Sequence, residues 1–165
     1  MTNLGSIYNI LSKYDLAQEY LEKSLPIILE TRDIKSLAKV YENLGVLNLN
    51  LGDYLQASNY LTKALKIAKE IGDPSSESNC YISLSVCLIN LGDYLQASNY
   101  LTKALNIAKE IGDKDIQAKC YANLGIISIV LNKINEVKLY FNKALELAKD
   151  IGDIELERIS SKKLN

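Results

Sequence analysis

The chain repeats itself every forty residues, and that period constrains its fold more than any other feature. Residues 51–73, LGDYLQASNYLTKALKIAKEIGD, return at 91–113 with a single change, Lys66 to Asn106. The segments before them, 34–50 and 74–90, agree at only five positions. One half of the unit is copied and the other half has drifted.

The period extends beyond the copied stretch. Ten of the eleven tyrosines fall into three columns: Tyr41, Tyr81, Tyr121; Tyr14, Tyr54, Tyr94; and Tyr20, Tyr60, Tyr100, Tyr140. Small residues form columns as well, with Gly5, Gly45, Ser85 and Gly125 in one and Ala17, Ala57, Ala97 and Val137 in another. Leu61, Ala64, Leu65, Ala68 and Ile71 have amphipathic-helix spacing, and Val40, Tyr41, Leu44 and Leu47 lie on one stripe of an earlier helix.

Gly52 supplies a left-handed stop between the two helices and Asp53 an N-cap for the second. Gly72–Asp73, Gly112–Asp113 and Gly152–Asp153 close each unit the same way, and Pro74 fits a first helical turn. Gly45 and Ala57 let the paired backbones approach closely, so a bulky residue at Gly45 should wedge the pair open. Pro26 falls inside a second helix, where loss of its bond to the Glu22 carbonyl predicts a bend or break near residues 22–24.

These features resemble the tetratricopeptide repeat, through Tyr41, Leu44, Gly45, Gly52, Tyr54, Ala57, Leu61 and Ala64 in that order. A forty-residue period closed by Ile-Gly-Asp is longer than the usual repeat of about 34. It resembles the long-repeat branch typified by the Pins/LGN adaptors and, more loosely, kinesin light chains and Rap-type arrays. The resemblance implies an all-α fold, a right-handed superhelical solenoid of antiparallel helix pairs. Its expected units within one domain, 1–165, are a partial 1–33, then 34–73, 74–113 and 114–153. A polar capping helix is expected over 154–165, because Arg158, Ser160 and Ser161 replace Ala118, Cys120 and Tyr121.

The resemblance also implies that the first helix of each pair lines a concave binding surface, which assigns the drifting half of the unit to the groove. The faces opposite the packing stripe carry Lys39, Glu42, Asn43, Val46, Leu49 and Asn50, then Asn79, Ile82, Ser83, Val86, Ile89 and Asn90. In the next unit they carry Lys119, Ala122, Asn123, Ile126 and Ile129. Asn3, Asn43, Ser83 and Asn123 form one column there. In long-repeat relatives the asparagine of Asn-Leu-Gly contacts bound peptide, so the role transfers to Asn3, Asn43 and Asn123, while Ser83 departs from it. The competing reading is that these asparagines only tie neighbouring helices together. Glu42 and Val46 stand where relatives carry a clamp for a C-terminal carboxylate, so a ligand with an apolar face fits better than an acidic tail.

Composition narrows the function classes. Nineteen basic and twenty acidic residues leave a formal charge of −1, with no cationic excess for nucleic acid or an anionic membrane surface. Apolar stretches such as residues 126–130 fall short of the roughly 20 residues of a membrane span. Residues 1–15 show neither a charged leader nor a cleavage site, so a cytoplasmic location is expected. With no histidine, no phosphate loop and three cysteines without a CxxC pair, neither an enzyme nor a cofactor or metal protein is expected. The expected partner is a protein or peptide; end-to-end self-association of an array with an open first unit is the second reading, and an excerpted or engineered repeat fragment, or the sensor half of a larger regulator, is the third.

Overall fold

The computed structural model describes residues 2–164. Among them are nine α-helices and no strand: α1 (Thr2–Ile10), α2 (Tyr14–Thr31), α3 (Ile34–Leu51), α4 (Tyr54–Ile71), α5 (Pro74–Leu91), α6 (Tyr94–Glu110), α7 (Lys114–Val130), α8 (Ile134–Ile151) and α9 (Ile154–Leu164). Each helix packs on the next along the chain, giving antiparallel pairs stacked as a solenoid. The first helices also touch in succession, α1 with α3, α3 with α5 and α5 with α7. The second helices make no contact of that extent with one another. Units therefore converge on the side of the first helices and spread on the side of the second.

The turn chemistry is the one the sequence dictates. Gly52 sits at φ +80°, where an L side chain is disfavoured, and its amide reaches back to the carbonyls of Asn48 and Leu49. Asp33, Asp53, Asp73, Asp93, Asp113 and Asp153 each accept the backbone N–H three residues on, at 3.0–3.1 Å. Pro74 occupies the first turn of α5. The irregular turns are where glycine is missing. Ser12, Arg32 and Asn132 adopt positive φ of 53–56° in its place, and Lys13 and Lys133 provide no side-chain cap.

Inside each pair the small columns do what their size allows. Ala57 and Ala97 are fully buried, and Leu61 and Leu101 beside them are at 0% exposure. Between units, Leu44 and Leu47 pack with Ala17 and Leu21 of the preceding second helix, and Leu84 and Cys87 pack with Ala57 and Leu61. One interface is thus repeated along the stack.

The tyrosine columns meet in pairs. Ring centroids lie 6.2 Å apart for Tyr41–Tyr60, 5.4 Å for Tyr81–Tyr100 and 6.3 Å for Tyr121–Tyr140. Lys63 lies 5.5 Å from both rings of the first pair, and Lys103 sits over both rings of the second. The eleventh tyrosine has a place too. Tyr8 stacks on Tyr20 at 5.4 Å, whereas Met1, which takes the column of Tyr41, lies outside the described residues.

Two expectations are corrected. Of the bend or break expected at Pro26, the break is absent: α2 runs from Tyr14 to Thr31 with Ala17, Leu21 and Ser24 buried and Pro26 on its exposed face. Packing on one face carries the helix past a single missing backbone bond. In α9, Arg158 is exposed as a water-facing residue should be, but Ser160 is fully buried on the inner side. It occupies the core column of Val40, Cys80 and Cys120.

Candidate functional site

The converging face is built from α1, α3, α5 and α7; Asp33, Asp73 and Asp113 cap the starts of the last three, Gly52 and Gly92 close α3 and α5, and Ser12 and Asn132 take the left-handed turns after α1 and α7. Along α3, Lys39 and Asn50 are exposed, Glu42, Val46 and Leu49 are half-buried, and Asn43 is buried. Along α5, Asn79, Ile82, Ser83, Val86 and Ile89 are half-buried and Asn90 is exposed. Along α7, Lys119 and Ile129 are exposed, Asn123 and Ile126 half-buried, and Ala122 buried. Asn3 is exposed on α1.

Some of these positions are committed to packing. Ala122 belongs to the core, and Ile82 and Ile89 pack against the same cluster. Leu49 packs against the cluster formed by Ala57, Leu61, Leu84 and Cys87. The surface that remains is a mixed strip in which Val46, Val86, Ile126 and Ile129 supply apolar contact between polar residues.

The asparagines behave differently from one another. Asn123 Nδ2 donates to the Lys119 carbonyl of its own helix at 2.9 Å, and Asn90 Nδ2 to the Val86 carbonyl at 2.8 Å. Asn50 crosses to α1, donating to Asn9 Oδ1 at 2.9 Å. Asn43 is only 9% exposed, and its buried Nδ2 has no hydrogen-bond partner in the protein. Beside it, Lys39 Nζ and Glu42 Oε2 pair at 3.0 Å, with Glu42 largely enclosed.

Among the clefts that border the stack are three beside these helices. One of about 390 Å³ lies where Lys35, Ala38 and Lys39 face the turn from Ile71 to Pro74. Another, about 290 Å³, joins Ile129 to Ile134, Val137 and Leu164. The third, about 380 Å³, sits at the turn edge between Tyr94, Leu95, Leu131 and Tyr140. There Glu136 accepts from Lys133 Nζ at 3.0 Å and from Ser128 Oγ at 3.3 Å. Sequence reasoning missed this group because its columns hold Asp53 and Asp93 in place of Lys133, so no motif repeats.

The nucleophiles are muted. Burial pushes the Cys80 thiol up to about 12, reinforced by the Glu42 carboxylate. Burial likewise raises Cys87 to about 11 and Cys120 to about 12. Among the described residues no helix is long and apolar enough to cross a membrane.

Stacked, capped helix pairs with a converging inner layer define the class of tandem helical-hairpin repeat proteins. The tetratricopeptide repeat family profile matches residues 1–70 and 76–150, and the chain belongs to that family. A search of curated proteins gives no match. Among solved structures, a signal transduction ATPase with numerous domains and a tetratricopeptide repeat sensor, from Pyrococcus horikoshii, superposes with a TM-score of 0.83 at 22% identity, covering 98% of this chain and 25% of its own. Aspartyl phosphate phosphatase F from Bacillus subtilis gives 0.85 at 20% identity, covering 98% of this chain and 44% of its own. The apo form of RapI gives 0.85 at 20% identity over 96% and 58%. The chain spans less than two thirds of each of these proteins, and the likeness is one of fold.

Proposed function

We propose that the chain is a cytoplasmic, non-catalytic protein-interaction module that holds a peptide or helical segment along its first helices. The observation that carries this reading is Asn43. Its Nδ2 is buried without an acceptor, at a cost of about 1–3 kcal/mol, and a turn of the side chain towards the groove would let a ligand carbonyl recover it. Asn79, Ser83 and Asn123 extend the polar line, and Val46, Val86 and Ile126 beside them give apolar contact. Such a strip holds backbone through its carboxamides and selects side chains through its aliphatic residues.

Aspartyl phosphate phosphatase F carries an activity in its name, but this reading does not extend that activity to a chain that spans 44% of it. Membership of a repeat family widely used for protein interaction supports the binding reading.

Affinity capture from a cell extract tests it, comparing the wild type with an Asn43→Ala, Asn123→Ala variant. A partner retained by the wild type and lost by a variant of unchanged circular dichroism is the expected outcome. Equal capture by both would remove these residues from the site.

A further inference from the structure

The cleft of about 380 Å³ between α6, α7 and α8 departs from the repeat in three of the residues that line it. Ser128, Lys133 and Glu136 stand in columns that hold Leu88, Asp93 and Gln96 one unit earlier, and Asn48, Asp53 and Gln56 before that. Leu88 packs against the core, and the smaller serine in its column leaves room beside Leu124 and Ile127, which are 6% and 4% exposed. The base of the cleft is therefore buried hydrocarbon.

A carboxylate stands over that base with one oxygen poorly served. Ser128 is 2% exposed, and its hydroxyl faces two acceptors, the Leu124 carbonyl at 2.9 Å and Glu136 Oε2 at 3.3 Å. A hydroxyl has a single proton, and the shorter contact takes it, so Oε2 keeps capacity for a stronger donor. Glu136 Oε1 is occupied by Lys133 Nζ at 3.0 Å. Lys133 gives α8 no side-chain cap, so helix stability does not account for it.

Charge decides which donor fits. Asp93 and Glu136 against Lys133 leave the lining one negative charge, and the rings of Tyr94 and Tyr140 favour a cation over an anion. The apolar base suits a hydrocarbon body and not a bare, strongly hydrated ion.

We infer that this cleft binds a small organic monoamine, whose ammonium donates to Glu136 Oε2 while its aliphatic or aryl body lies against Leu124, Ile127 and the two tyrosines. Lys133 is then a competitor already in place, since its charge and the ligand's share one carboxylate. Neither Asn43 nor Asn123 lines the cleft, so the site stands apart from the proposed groove.

The probe is phenethylamine, titrated into the isotope-labelled full chain and followed by amide NMR shifts, which should saturate around residues 128–136. Phenethyl alcohol, of the same shape without the charge, should bind about tenfold more weakly. Glu136→Gln should weaken the amine by about the same factor, and it installs the residue already present at Gln56 and Gln96, so the fold should be kept. Ser128→Leu should fill the cleft and abolish binding. Lys133→Met should tighten the amine about threefold by removing the competing charge. Absence of saturable shifts, or equal binding of the alcohol, would overturn the inference. Weaker amine binding by Lys133→Met would overturn it too, because Lys133 would then be helping to hold the ligand. Tighter binding of acetyl-lysine amide than of phenethylamine would make a lysine side chain of a protein partner the occupant in place of a free amine.

Discussion

A Cβ built on Gly45 would stand 2.5 Å from Leu61 Cγ and 2.7 Å from Leu61 Cδ2. The first of these is the branch point of a fully buried side chain, which cannot swing aside as a flexible tip could. Gly45→Val should therefore cost about 1–3 kcal/mol, the usual penalty for overpacking, read as a lower midpoint in urea. Gly5 and Gly125 meet Leu21 and Phe141 at 2.6 and 2.7 Å, so the same substitution there should act with the same sign. Ser85 fills this column in the third pair, buried and donating to the Ile82 carbonyl at 2.6 Å, so the restriction is local to the glycine-containing pairs.

Asn43 should show opposite effects on stability and on binding. Replacing it with leucine removes a buried donor that has no acceptor and introduces a better helix former. Asn43→Leu is expected to gain about 1 kcal/mol, or about 2–4 °C in Tm for a chain of this size, while losing the captured partner. A fall in Tm with capture intact would make Asn43 a structural tie.

The solenoid was legible because its requirements recur. Gly52 with Asp53, Gly72 with Asp73, and the Ala57 and Ala97 columns state the same turn and the same close approach in copy after copy. Site detail was less legible, since one helical face serves packing and surface together. Ala122 and Ile82 have groove spacing yet face the core, because neighbouring first helices converge and cover them. The break expected at Pro26 is absent for a related reason. A local rule about one hydrogen bond says nothing of the buried face that holds α2 together.

Asp73 carries the pH dependence of the turn between α4 and α5. The Ser76 backbone N–H donates to its Oδ1 at 3.1 Å and the Ser76 hydroxyl to its Oδ2 at 2.8 Å, and these donors hold the carboxyl below its ordinary 3.8. A carboxyl depressed in the folded state contributes stability above its unfolded value, and that contribution is lost as pH falls through the lower folded value. Asp73→Ala should cost about 1 kcal/mol at neutral pH, the typical worth of an N-cap. The gap between the two melting curves should close below pH 3.8. A gap that persisted at pH 2 would assign the loss to packing around Pro74 instead.

Ser160 offers a stabilising substitution for the opposite chemical reason. Its side chain is fully buried, its hydroxyl has no hydrogen-bond partner, and its column holds Val40, Cys80 and Cys120, each buried and apolar. Ser160→Cys keeps nearly the same shape and replaces a strong donor with the thiol already accommodated twice in that column. It should raise stability by about 1 kcal/mol, measured by urea denaturation in reducing buffer. The new thiol should also stay unreactive towards a disulfide reagent until the chain unfolds, as the high values of Cys80 and Cys120 require of theirs. Rapid labelling of the native variant would place residue 160 at the surface and α9 in a looser arrangement on α8.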